Sequence, residues 1–265
     1  MTTPVWDPRQ YLRHADHRTR PFHDLLARIT PLPNEPEPRI ADLGCGAGNV
    51  TTLLADRWPA AHITGYDNSP QMLEKARTHT RPHLDFAEAD AATWQPAETY
   101  DLIVSNALLQ WVPDHTALLP RWLDALTPGG TLAFQVPGNF DAPSHTLMRE
   151  LAGSPRWAGR LGGLLRHSDA VHTPGDYLAH LVAPGRTVDV WDTTYLHLLK
   201  GEDPVLDWVK GTGLRPLITA LDDDLPAREA FLTDYRDLLR AAYPPGPHGT
   251  VLPFRRIFAV ARTAG

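Results

Sequence analysis

Asp42-Leu43-Gly44-Cys45-Gly46-Ala47-Gly48 follows the apolar segment Arg39-Ile40-Ala41 and runs directly into Val50 to Trp58, where Leu, Ala and Trp recur at helical spacing. Glycines at alternate positions keep this turn free of side chains. A ligand can then lie against bare backbone amides at the positive end of the following helix. Strand, bare turn and helix in that order open a βαβ unit. The segments at 61–67, 84–88, 100–105 and 131–136 are again short and apolar, separated by the helix-like stretches Pro70 to Thr78 and Ala117 to Leu126. This alternation predicts an α/β fold, a doubly wound and mostly parallel sheet built from right-handed crossovers, with ligands bound at the carboxyl ends of the strands. Ser69-Pro70 reads as an N-cap followed by proline in the first turn, and Pro128-Gly129-Gly130 as the stop before the strand at 131.

Beyond Val136 the pattern loosens. Gly138 to Gly185 is punctuated by Pro, Gly, Ser and His around short amphipathic pieces such as His145 to Leu151, which predicts an inserted helical cap. Val188 to Leu199 alternates as a strand, Val205 to Lys210 and Ala227 to Ala242 have helical spacing, and Arg255 to Arg262 reads as a final strand. The expected organisation is one domain over residues 1–265: an N-terminal helical cap at 1–36, a ligand-binding core at 37–137, a substrate lid at 138–186 and completion of the sheet at 187–265.

A chain of 265 residues, 42% of them hydrophobic, is long enough to bury a substantial core. Its formal net charge is −6, and Lys and Arg are scattered among acids, which argues against a surface that tracks nucleic-acid phosphates. A small molecule is the expected partner. No apolar run is long enough to cross a bilayer, the N-terminus lacks a signal-peptide pattern, and Cys45 is the single cysteine, so the expectation is a reduced, cytoplasmic protein without a membrane partner. The oligomeric state is not encoded in any of these features. His14 and His17 have no Cys or acid cluster beside them, and no metal site is expected. The tryptophans at 58, 94, 122, 157, 191 and 208 fall at helix or strand spacing and are read as packing residues.

The glycine spacing narrows the ligand. A dinucleotide fingerprint requires G-x-G-x-x-G, whereas the sixth position from Gly44 is Asn49. Asp42 beside the turn would repel a pyrophosphate and answer a positively charged ligand end, such as the amino group of S-adenosylmethionine. Asp67 closes the strand-like Ile63-Thr64-Gly65-Tyr66, where a carboxylate accepts both hydroxyls of a ribose. Asp90-Ala91 follows the next strand, where a carboxylate and a backbone amide can read an adenine edge. Three acids after three successive strands favour an adenosine ligand without phosphates.

These motifs, with Gly65-Tyr66-Asp67-Asn68-Ser69-Pro70, Ala89-Asp90-Ala91 and Leu126-Thr127-Pro128-Gly129-Gly130, resemble the ordered motifs of class I S-adenosylmethionine-dependent methyltransferases. His17-Arg18-Thr19-Arg20-Pro21-Phe22, Asn106-Ala107-Leu108-Leu109-Gln110-Trp111, Pro137-Gly138-Asn139-Phe140, Pro143-Ser144-His145 and Pro253-Phe254-Arg255-Arg256 are similar to the trans-aconitate methyltransferase family within that class. The resemblance implies a Rossmann-like, seven-stranded sheet with its last strand antiparallel, S-adenosylmethionine as cofactor, S-adenosylhomocysteine as product, and esterification of a carboxylate of trans-aconitate or a similar polycarboxylate. It also implies residue roles: Asp42, Gly44 and Gly46 around the methionine part, Asp67 and Asn68 at the ribose, Asp90 and Ala91 at the adenine, Asn106 near the methionine end. Tyr11 would close over the cofactor, with Gln110 and Trp111 near the methyl group.

Methyl transfer to a carboxylate needs alignment more than acid–base chemistry, because the nucleophile is already ionised at neutral pH. No residue is assigned as a general base. The acceptor's negative charges call for paired donors, and His145, Arg149, Arg255, Arg256, Tyr177 and Tyr195 are the candidates. Arg255 and Arg256 are neighbours on a strand, so they face opposite ways and one at most reaches the acceptor directly. A methyltransferase for another metabolite and a catalytically silent cofactor-binding protein remain the alternative readings; a hydroxyl or carbon acceptor would need a base that the sequence does not offer.

Overall fold

The computed structural model describes residues 15–165 and 168–265, so Tyr11 and His14 lie outside the described residues. The described residues begin with α1 (Ala15–Leu26) and then alternate: β1 (Arg39–Leu43), α2 (Thr51–Arg57), β2 (His62–Asp67), α3 (Pro70–Ala76), β3 (Leu84–Glu88), β4 (Tyr100–Asn106), α4 (Leu119–Asp124) and β5 (Leu126–Pro137). Three helices follow, α5 (Pro143–Ala152), α6 (Ala158–Leu161) and α7 (Pro174–Leu181), and then β6 (Thr187–Leu199). The chain ends with α8 (Pro204–Lys210), α9 (Arg215–Ala220), α10 (Leu225–Ala242) and β7 (Thr250–Arg262).

One seven-stranded sheet has the order β3-β2-β1-β4-β5-β7-β6. Strands β1 to β5 pair in parallel, and β7 runs antiparallel to β5. The chain steps outward from β1 to β3 and then returns to the other side of β1 for β4. The carboxyl ends of β1 and β4 therefore flank the switch point at which open α/β sheets bind ligands. Both strands are central: β1 is buried from Ile40 to Leu43 and β4 along all but its last residue, as expected for strands covered on both faces. Ser69 caps α3 by accepting the Met72 amide at 3.3 Å, with Pro70 in the first turn.

Two boundaries differ from expectation. Pro128-Gly129-Gly130 lies inside β5, which starts at Leu126: Gly129 has φ 74°, its amide donates to Ala264 O at 2.7 Å, and the register slips between Tyr100 and Leu102. The helix-stop residues are thus absorbed as an irregularity at the start of the strand. β7 begins at Thr250 instead of Arg255.

The chain forms two compact units, one of residues 18–137, 171–193 and 256–265, the other including 138–170 and 194–255. Each has its own core, the first around Trp122, Phe134, Tyr177 and Leu109, the second around Trp208, Phe231, Tyr235 and Trp157. Residues 171–186 belong with the sheet because α7 plants Tyr177 and Leu181 in its core, both fully buried. The segment expected to cap the fold at 1–36 likewise buries Phe22 and Leu25 completely.

Tyr177, expected as a donor to an acceptor molecule, is therefore a core residue of the sheet unit. Its hydroxyl lies 2.8 Å from His115 Nε2 and accepts the His172 amide at 3.4 Å. The His115 ring lies 3.3 Å from Val112 O through Nδ1, so Nδ1 carries the proton and Nε2 accepts from Tyr177. Burial pushes the His115 imidazole down to about 4, which keeps it neutral in this arrangement. Tyr177→Phe removes the partner of a buried ring nitrogen. It is expected to lower unfolding stability by about 1–3 kcal/mol in denaturant titration. A neutral substitution would mean that the hydroxyl is not part of the core.

Candidate active site

The turn after β1 carries Gly44, Gly46 and Gly48 at φ +75°, +56° and +81°, a region that favours glycine. The amides of Gly44 and Cys45 both donate to Tyr66 O, at 2.7 and 3.0 Å, and so tie the turn to β2. A Cβ at position 44 would come within 2.8 Å of the Leu108 side chain, whereas one at 46 would meet nothing within 4 Å. Packing excludes a side chain at Gly44; Gly46 borders open space, as a bare cradle for a ligand requires. Cys45 is buried, and burial pushes its thiol well above its ordinary value, so it is inert.

Asp42 is completely buried at the end of β1. Its Oδ2 accepts from Thr51 Oγ1 at 2.7 Å, and its Oδ1 is buried without a hydrogen-bond partner. Burial pushes its carboxyl up to about 7, against the opposing Thr51 bond, with the charge of Asp67 adding to the rise. Asp67 ends β2, and both of its oxygens face backbone amides, Oδ2 that of Gly46 and Oδ1 that of Ser69, each at 2.9 Å. Burial raises its carboxyl, and the amides of Ser69 and Gly46 pull it back. Asn68 is exposed beside it. Asp90 follows the end of β3 by two residues; it is exposed, accepts the Ala92 amide at 2.9 Å, and adjoins the buried Ala91.

The end of β4 is polar. Asn106 is half-buried, and Ala107 after it has φ +57° although it is not glycine. The Ala107 amide donates to Gln135 O at 2.9 Å and its carbonyl accepts from Gln110 Nε2 at 2.6 Å, so both backbone groups of this strained residue are tied. Trp111 lies half-buried in the 3₁₀ turn that Gln110 occupies. On β7 the two arginines alternate as their adjacency requires. Arg256 is 7% exposed and donates from Nη1 to Gln135 Oε1 at 3.3 Å, while Arg255 is half-buried.

The remaining candidates fall in the other unit. His145 on α5 is half-buried; its Nδ1 lies 3.1 Å from Ser144 Oγ and 3.4 Å from Asn139 Nδ2, and burial, then Arg149, push its imidazole down to about 4. It is a neutral ring at physiological pH. Arg149 is half-buried on the same helix, and Tyr195 is buried with its ring stacked 6.3 Å from that of His197. Arg255 belongs to this unit and Arg256 to the sheet unit.

Three residues that shape the site were not singled out by the sequence. Thr51 sits on the first turn of α2, where a hydroxyl reads as an ordinary helix-start residue. Leu108 fits any apolar pattern. Gln135 carried the clearest signal, a lone amide in Leu132-Ala133-Phe134-Gln135-Val136. Among the described residues no group of three or more His, Cys, Asp or Glu is placed to hold a metal ion.

Residues 40–130 match a protein family described as a methyltransferase domain. Over 98% of its length the chain is 69% identical to the trans-aconitate 2-methyltransferase of Streptomyces coelicolor, covering 88% of that relative. It is 48% identical to the trans-aconitate 2-methyltransferase of Rhodococcus jostii, over 97% of this chain and 99% of the relative. The YcgJ protein of Bacillus subtilis matches with a TM-score of 0.56 over 92% of this chain and 99% of that one, at 16% identity, a likeness of fold.

Asp42 has a measurable signature in the ligand-free chain. Its carboxyl ordinarily titrates at 3.8 and is raised to about 7 in the fold, so between these values the folded chain holds a proton that the unfolded chain has lost. Stability therefore falls as pH rises through this window. Unfolding free energies at about pH 5 and about pH 8 should show the wild type losing on the order of 2–3 kcal/mol relative to Asp42→Asn. Parallel pH profiles would remove Asp42 as the titrating group.

Proposed function

The chain belongs to the trans-aconitate 2-methyltransferases, within the class I S-adenosylmethionine-dependent methyltransferases, and from that membership we propose that it methylates a carboxylate of trans-aconitate. A bond forms between a carboxylate oxygen and the methyl carbon, the bond from that carbon to sulfur breaks, and its electron pair stays on sulfur. The products are a methyl ester and S-adenosylhomocysteine.

The observation that carries this reading is the half-satisfied, fully buried carboxyl of Asp42 beside the side-chain-free turn at Gly46. A buried acid with one orphaned oxygen favours a cationic ligand end and disfavours a phosphate. These residues fit S-adenosylmethionine, which supplies, when bound, a methyl carbon made electrophilic by a positively charged sulfur. Asp42 would take its ammonium group, Gly44 and Gly46 would leave room for the methionine chain, and Asp67 with Asn68 would take the ribose hydroxyls. Each Asp67 oxygen already accepts one amide and retains a second lone pair for a hydroxyl. Asp90 and Ala91 would read the adenine, and Asn106 with Gln110 would lie at the methionine end.

The acceptor needs no base, since a carboxyl that titrates at about 4 arrives ionised. What it needs is a held anion and little water. Arg256 is buried, carries a permanent charge and is best suited to pair with a carboxylate. Trp111 is the further candidate in the same unit, and His145, Arg149, Tyr195 and Arg255 are the candidates offered by the other unit; Tyr177 leaves the set because its hydroxyl is engaged in the core. A cytoplasmic location is part of the same reading, supported by the single, buried Cys45.

Incubation with methyl-labelled S-adenosylmethionine and trans-aconitate should yield a base-labile labelled ester. Label that survives mild alkali, or no turnover with any polycarboxylate, would reject the acceptor. In calorimetry, Asp67→Ala should weaken S-adenosylhomocysteine binding by about 10-fold or more, from the lost hydrogen bonds to the hydroxyls. Unchanged affinity would take Asp67 out of the ribose site.

A further inference from the structure

Gln135 is 1% exposed within an apolar strand. Its Nε2 donates to Asn106 Oδ1 at 2.5 Å, and its Oε1 accepts from Arg256 Nη1 at 3.3 Å. The register pairs Asn106 with Gln135 across β4 and β5, and Arg256 with Pro137 across β5 and β7. Gln135 and Pro137 are two residues apart and share a face, so the three polar side chains form a row across three neighbouring strands.

This row has a direction. A guanidinium only donates, so the amide oxygen of Gln135 has to face Arg256. The NH₂ group of Gln135 then faces Asn106, and the Asn106 oxygen has to meet it. What remains at the end of the row is the Asn106 NH₂ group. Turning Asn106 over would set two NH₂ groups against each other in a buried setting, where an unmade hydrogen bond is costly. The backbone beyond is equally fixed, because Ala107 is held through its amide by Gln135 and through its carbonyl by Gln110.

We propose that Gln135 is a positioning residue: it carries the donor polarity of Arg256 across β5, so that Asn106 offers N–H groups to the methionine carboxylate of the cofactor. The ammonium group is left to Asp42, on β1. The two charged ends of the same amino acid are then read by two strands with opposite polarity, an acceptor on β1 and a donor on β4. This inference rests on the proposed cofactor.

The test compares two ligands by calorimetry: S-adenosylhomocysteine, and its analogue lacking only the carboxylate, which ends in the amine. Wild-type protein should prefer S-adenosylhomocysteine by about 10-fold or more, the worth of a hydrogen bond to a charged group. Gln135→Glu accepts on both sides, turns the oxygen of Asn106 outward, and should bring the two affinities to within about 2-fold, while binding of the amine analogue stays within about 2-fold of wild type. Gln135→Leu removes the relay without reversing it and should leave an intermediate preference. A merely structural role would weaken both ligands together. A full preference retained in Gln135→Glu overturns the relay. If that variant fails to fold by circular dichroism, Asn106→Asp, whose outward atom is always an acceptor, is judged by the same criterion. Failure of wild-type protein to bind S-adenosylhomocysteine at all would reject the cofactor, and the relay with it.

Discussion

The buried carboxyl of Asp42 is the constraint around which the sheet unit is arranged. A carboxylate taken out of water needs hydrogen bonds or an opposite charge, and Thr51 supplies only one bond. The rest of its surroundings cannot compensate: β1 is buried on both faces, Leu108 closes over Gly44, and the adjacent Asp67 adds like charge. The ligand-free fold therefore favours the protonated acid. A cation arriving beside it would convert that destabilised group into a satisfied one, so the free energy that burial costs the carboxylate returns as affinity.

The switch point of the sheet separates two kinds of chemistry. The ends of β1 and β2 carry Asp42 and Asp67, the second of which accepts the Gly46 amide, and this half is acceptor-rich. Asn106 at the end of β4, Gln135 near the end of β5 and Arg256 in the middle of β7 form a row whose polarity originates in a guanidinium, and this half is donor-rich. A zwitterionic ligand fits such a divided floor better than a phosphate, which would be welcome at one half only. The division follows from topology: β4 returns to the opposite side of β1, so the two halves come from different stretches of sequence and meet only when the sheet forms.

Much of this was legible in the sequence, for reasons that also mark the limit. Buried parallel strands read as short, mainly apolar runs, and the acids at the ends of β1 and β2 stand out because each is the only acid in its strand. The glycines of the turn were legible because a left-handed backbone and a close contact leave little alternative. The opposite facing of Arg255 and Arg256 follows from strand geometry alone; that Arg256 is the buried one depends on the register of β7 against β5, which adjacent residues do not encode. Tyr177 shows the converse failure. A phenol is recognisable as a donor, but whether it meets a ligand or a core histidine is decided by how α7 packs. The start of β5 was missed because proline and glycines normally break structure, and here they form an irregular strand start fixed by a hydrogen bond from the Gly129 amide to Ala264 O.

The character of the proposed acceptor site follows from the charge state of its nucleophile. A hydroxyl or carbon nucleophile must lose a proton as it reacts, and a site built for it needs a base of suitable pKa in contact with it. Two described histidines, His115 and His145, are both pushed down to about 4, and His115 is spent on Tyr177. Such rings are weak bases. A carboxylate has no proton to lose, and the difficulty moves from deprotonation to desolvation: the anion must leave water without losing its reactivity. An arginine held through a neutral amide suits that task, since Gln135 satisfies one N–H of Arg256 and itself brings no opposing charge. A carboxylate partner in the place of Gln135 would bind the guanidinium more strongly and cancel the charge that a substrate anion needs. The buried amide on β5 is thus the partner compatible with both ends of the row, and its neutrality matters as much as its direction.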